Sequence, residues 1–315
     1  MKFNAKSFVY ALVVCAFVIL AKNIYSCKLS SQIDKGIYRV AKLGQVEGLY
    51  IGSSMFRQGI DIREAVRKSE NIFMLAYNGL DPANEKLILE YLINSGLVIK
   101  NLYVDMYAYS ASGEPWLAET RMLFDAPLSL KIAVWKLIMS NTQANFFTAS
   151  YELFISSGND MIIFWPLYKF LVSDRYYKGG AAKGSYSSGT TAEALRKNNV
   201  PDKGSSKMND TQKKSVREII KMCHENNINI IFIETPKFID VVRSEIYKSI
   251  MTEYFELLKS EGVKFIMSQE TLNALNLNNI HGYIFQHDDA YMFGDYVHLS
   301  GEGSRIFTRL LQDMI

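Results

Sequence analysis

Two short stretches at opposite ends of the chain carry residue types that perform proton and acyl chemistry. The first is Gly52-Ser53-Ser54, at the end of the apolar run at 48–52. A serine opening the next helix there would have its backbone N–H unpaired and its hydroxyl exposed. Taken alone, this stretch fits a helix start with a capping serine, since serine is a preferred N-cap residue. The second is Asp295-Tyr296-Val297-His298, followed by Leu299, Ser300 and an amphipathic pattern to the last residue. A carboxylate three residues before an imidazole, on a turn entering a helix, orients one ring nitrogen and leaves the other facing outward as a base. Such a base needs a nucleophile, and the two serines are the candidates.

These residues need a scaffold that brings the ends of the chain together. Short apolar runs alternate with helical patterns, which predicts an α/β fold with a parallel sheet covered on both faces. Strands are expected at 48–52, 71–77, 101–107, 228–234 and 263–267, enough for a flavodoxin-like five-stranded sheet. Helices are expected at 81–96, opened by Asp81-Pro82 and closed by Gly96, and at 210–226. Ligands of open α/β sheets bind outside the carboxyl ends of the strands, where Gly52, Ser53 and Ser54 stand. Residues 110–209 contain no comparable strand pattern and read as a helical, aromatic-rich insertion with a Gly- and Ser-rich stretch at 176–191. An insertion of that length serves either as a cap completing the core or as a lid or a membrane- or partner-facing surface.

The 315 residues, 49% of them hydrophobic, suffice for a substantial core. Thirty-five Lys and Arg against 32 Asp and Glu leave a net charge of +3, too balanced to indicate a nucleic-acid partner. The first segment places Lys2 and Lys6 before an unbroken apolar run at 8–21, then Lys22. The run is shorter than the ~20 residues of a comfortable membrane span, but snorkelling lysines would extend it. An uncleaved single-pass anchor at 1–27, with an extracytoplasmic domain at 46–315 after a linker at 28–45, is the leading expectation. A cleaved signal and a buried helix are the alternatives, and the first of these also exports the domain. The three cysteines, Cys15, Cys27 and Cys223, have neither metal spacing nor an even disulfide framework.

With both terminal stretches considered together, residues 46–315 resemble the SGNH (GDSL-type) hydrolase family. "YIGSS" matches the family's first block with Ser53 in place of its Asp, and "DYVH" matches its last block ahead of the final helix. The resemblance implies Ser54 as nucleophile, His298 as general base and Asp295 as its orienter, on a three-layer flavodoxin-like fold. It also implies that Gly79, in "AYNGLDP" with Asn78 beside it, lends an N–H to the oxyanion hole. The third block departs from the family: "YVDMYAYS" offers Asp105 and no Asn, and Asn159 in "SSGND" lies inside the insertion. A Gly-Ser-Ser first block, an N-terminal membrane segment and no third-block Asn are similar to the D-alanyl transfer protein of teichoic-acid D-alanylation and to membrane-anchored, alginate-acetylation-type proteins. That similarity implies a cell-surface polymer or acyl carrier as substrate and a membrane-bound O-acyltransferase as partner. A carbohydrate O-acetyl esterase and a non-catalytic scaffold subunit are the rival readings.

Arg57, one turn after Ser54, is a candidate contact for an anionic substrate. Glu234 and Lys237, in "IETPKF" at the end of the fourth expected strand, are candidates at the active edge. His281, His287, Asp288 and Asp289 lack a tight ligand spacing, so no metal or other cofactor is expected.

Overall fold

The computed structural model describes residues 9–10, 12–21, 36–65, 71–115, 126–141, 145–156, 189–197 and 205–315. Asn159 and the rest of 157–188 therefore lie outside the described residues. Five parallel strands form one sheet: β1 (Gln45–Gly52), β2 (Ile72–Ala76), β3 (Val98–Asp105), β4 (Asn229–Ile233) and β5 (Lys264–Ile266). Their order, β2-β1-β3-β4-β5, is that of flavodoxin-like sheets. Each lies where an apolar run predicted it, with ends shifted by up to three residues.

The strands are central because they are apolar on both sides. In β1 the consecutive residues Leu49, Tyr50 and Ile51 are all buried, which requires cover on both faces of the sheet. Tyr50 stacks on Tyr103 of β3 at 4.4 Å between centroids and meets Phe56 edge-on at 5.6 Å. These rings tie the two central strands to α1 (Ser54–Gly59), the helix that opens at the second serine. After β2, α2 (Pro82–Asn94) starts on an Asp81 cap whose carboxylate accepts from the Asn84 N–H at 2.9 Å, with Pro82 in the first turn. β3 leads into the short α3 (Ala108–Ser112). The described part of the insertion contains α4 (Leu128–Asn141), α5 (Phe146–Ser150) and a helical turn at Ala192–Lys197. No strand occurs among its described residues.

The C-terminal half supplies α6 (Asp210–Glu225), α7 (Glu245–Ser260) and α8 (Gly301–Met314). α6 packs on α2, and α8 packs on α1 and the turn after it. The α8 seam is polar as well as apolar. Asp61 N–H donates to Thr308 Oγ1 at 2.8 Å, Gln312 Nε2 donates to the Glu64 carbonyl at 2.7 Å, and Arg309 pairs with Glu64 at 3.2 Å. That seam joins the two sequence-distant stretches with chemical potential. Among the described residues no helix is long and apolar enough to cross a membrane. Residues 12–21 of the first segment are helical, with nearly all side chains exposed.

Candidate active site

The site lies at the carboxyl edge of the sheet, where β1, β2 and β3 end side by side. Strand order reverses between β1 and β3, which opens a crevice at the point where such sheets bind ligands. A cavity of about 370 Å³ occupies it, lined by Ser54, Gly79, Tyr107, Tyr109, Ser110, Gly113 and Glu114. Ser54 comes from the end of β1, Gly79 from the turn after β2, and the other five from the segment after β3.

The adjacent serines divide two tasks. Ser53 is fully buried and caps α1, accepting from the Met55 N–H at 3.1 Å. Its own hydroxyl donates to Asp105 Oδ2 at 2.5 Å, and its N–H donates to the same oxygen at 3.2 Å. Ser54, one residue on, turns its hydroxyl to His298, with Oγ to Nε2 at 2.9 Å. These two residues are 244 positions apart in the chain. His298 Nδ1 lies 2.7 Å from Asp295 Oδ2. A carboxylate only accepts, so Nδ1 carries the proton and Nε2 presents its lone pair to the Ser54 hydroxyl.

Local structure fixes that imidazole. Asp295 Oδ1 accepts from the Val297 and His298 N–H groups at 2.9 and 2.8 Å, locking the turn that carries both residues. Phe293 and Leu299 close the turn with an antiparallel bridge, and the Gly294 N–H donates to the His298 carbonyl at 2.9 Å. Ser300 then caps α8 through the Gly303 N–H at 3.2 Å. From the other side, the Phe238 N–H donates to the Tyr296 carbonyl at 2.9 Å. Burial pushes the Asp295 carboxyl up. The His298 hydrogen bond and charge, with the two backbone donors, outweigh that and hold it below the usual carboxylate range.

Two glycines shape the wall. Gly79 has φ +67°, a left-handed conformation that favours glycine. Gly52 matters for the space it leaves between β1 and β3. A Cβ there would sit 2.5 Å from Asp105 Cβ and 2.9 Å from Phe56 Cδ2, so only a hydrogen lets β3 bring Asp105 against the Ser53 cap. Asp105 thus reaches the Ser53 cap from across the sheet, a contact that no local spacing announces.

The other sequence candidates are placed differently. Glu234 and Lys237 sit at the end of β4 but point inward, fully buried, and neither lines the cavity. Glu234 accepts from Tyr247 Oη at 2.5 Å, Thr271 Oγ1 at 2.6 Å and the Ser268 N–H at 2.9 Å. Lys237 donates to the Thr235 carbonyl and hydroxyl at 2.7 and 2.6 Å. The strand end is at the active edge, but both side chains face the core. Burial lowers the Lys237 ammonium to about 8, against the pull of Asp105, Glu234 and Asp295. Burial raises the Asp105 carboxyl, and Lys237, the two Ser53 hydrogen bonds and His298 oppose that rise. Arg57 is half-buried on α1 and does not line the cavity, and Asn78 is exposed beside Gly79. His287 is buried, which lowers its imidazole below the ordinary value, and its Nδ1 donates to the Lys237 carbonyl at 2.6 Å.

No protein-family model matches this sequence, and no curated protein matches it.

Proposed function

We propose that the chain is a serine acyltransferase or esterase of the SGNH type, acting on acyl esters of cell-surface polymers. The observation that carries this reading is the continuous hydrogen-bonded line Asp295–His298–Ser54 ending at a cavity. Ser54 Oγ attacks the acyl carbonyl as its proton passes to His298 Nε2, and Asp295 stabilises the imidazolium. The N–H groups of Ser54 and Gly79 are the backbone donors this reading assigns to the oxyanion. Collapse of the tetrahedral species expels the alcohol, which takes the proton back from His298 and leaves an acyl-Ser54 ester. A polymer hydroxyl or water then attacks that ester by the reverse sequence.

The apolar first segment supports an extracytoplasmic setting at a membrane surface, with a membrane-bound O-acyltransferase as the partner that supplies acyl groups. A fluorophosphonate probe tests the chemistry. Labelling of wild type and not of Ser54→Ala is the expected result; a wild type that resists labelling, with full cellular function in Ser54→Ala and His298→Ala, leaves a scaffold role instead. Acyl content of surface polymers in a deletion strain then separates transfer, where it falls, from O-acetyl ester removal, where it rises.

A further inference from the structure

The acyl chemistry proposed for Ser54 creates an oxyanion, and a side-chain donor beside the backbone N–H groups would stabilise it further. The wall facing Ser54 is built almost entirely from one segment, Tyr107 to Glu114. Its side chains differ in what they have to offer an anion. Glu114 is a carboxylate and repels one. The Ser110 hydroxyl already donates to the Tyr107 carbonyl at 3.0 Å. The Tyr109 hydroxyl is buried away from the open volume. The Tyr107 side chain is half-buried, its hydroxyl is not among the enclosed polar atoms, and among the described residues no group is hydrogen-bonded to it.

The Tyr107 ring is also held in place. Lys237 Nζ lies 5.9 Å from its centroid, and Tyr109 meets it edge-on at 5.8 Å. Burial, followed by the charges of Asp105, Tyr109 and Asp295, raises the phenol well above its ordinary value. The hydroxyl therefore stays protonated throughout the neutral range.

We infer that Tyr107 is a catalytic residue whose hydroxyl donates a hydrogen bond to the oxyanion formed on attack by Ser54. This rests on the serine-esterase reading above. A phenol at the end of β3 would give the oxyanion a side-chain donor that needs no Asn, and it explains why Lys237, though sealed from substrate, is set against the ring that approaches it.

The test uses the full chain with p-nitrophenyl acetate and the matching thionoester, comparing wild type, Tyr107→Phe and Ser54→Ala. Loss of one oxyanion donor lowers kcat by ~10²-fold. Tyr107→Phe is expected to show that loss with KM within about threefold of wild type, an unchanged melting midpoint, and a smaller rate ratio of ester to thionoester. Tyr107→Phe that keeps wild-type kcat and rate ratio, while Ser54→Ala is inert, overturns the donor role and leaves the nucleophile standing. A wild type that turns over neither substrate and forms no acyl-Ser54 removes the esterase reading, and the Tyr107 role with it.

Discussion

The neighbouring serines anchor two polar networks, each pairing a hydroxyl with a carboxylate and a basic group, and the two differ in their access to water. Ser54, His298 and Asp295 form a line that ends at a cavity, with Asp295 half-exposed at its far end. Ser53 and Asp105, with Lys237 and Glu234 behind them, are sealed in the core. A hydroxyl, a carboxylate and a base do chemistry only where protons and substrate can reach them. Enclosed, the same groups fix the backbone and bear a desolvation cost, visible in the raised Asp105 carboxyl and the lowered Lys237 ammonium. The buried network holds the start of α1, and the exposed one uses what α1 presents.

The comparison is most open to attack by substituting one carboxylate from each network. Asp295→Ala should reduce ester turnover by about 10³–10⁴-fold and hardly shift the melting midpoint, since it removes the group that sets the His298 tautomer. Asp105→Ala should do the opposite in stability, costing about 3 kcal/mol by denaturant titration, because it strands two Ser53 donors and a buried ammonium. Asp105→Asn, which keeps an acceptor for Ser53, should recover part of that loss. Equal effects on stability from Asp295→Ala and Asp105→Ala would erase the distinction.

Gly52→Ala probes the point where the networks touch. The added methyl meets Asp105 Cβ and the Phe56 ring, so a destabilisation of about 1–3 kcal/mol, with reduced turnover, is expected by the same titration. The last probe is pH. Burial makes the folded-state pKa of Lys237, about 8, lower than that of the unfolded chain, so between about pH 8 and 10 the unfolded state binds more protons. Wild-type stability relative to Lys237→Met should therefore rise with pH across that window, as the penalty for a buried charge is relieved. A difference that stays flat or falls would show that Lys237 is not confined as described.

Much of the scaffold was legible because its signals are local. The five apolar runs, the Asp81-Pro82 helix start and the capping serines each depend on neighbours within a few residues. The Asp295–His298 turn belongs to the same class, since the three bonds of the Asp295 carboxylate are all made within three residues. Asp105 was read as a missing Asn rather than as the acid serving Ser53, since that contact spans 52 residues and depends on the absence of a side chain at Gly52. Glu234 and Lys237, candidates for substrate contact, stand at the strand edge as expected but turn their side chains into the core. Their inward turn depends on Tyr247, Ser268 and Thr271, which come from later elements that strand periodicity does not predict. Tyr107 gave no signal as a single tyrosine in an aromatic-rich stretch, and only the cavity that it shares with Ser54 singles it out.

The division of labour between the two serines can be read directly by quenching the full chain in acid during turnover of p-nitrophenyl acetate and fragmenting the peptide that carries both. An acetyl group located on Ser54, absent in His298→Ala and in Ser54→Ala, is the predicted outcome. Acetyl on Ser53, or an unmodified peptide during active turnover, would contradict the assignment of Ser54 as the nucleophile.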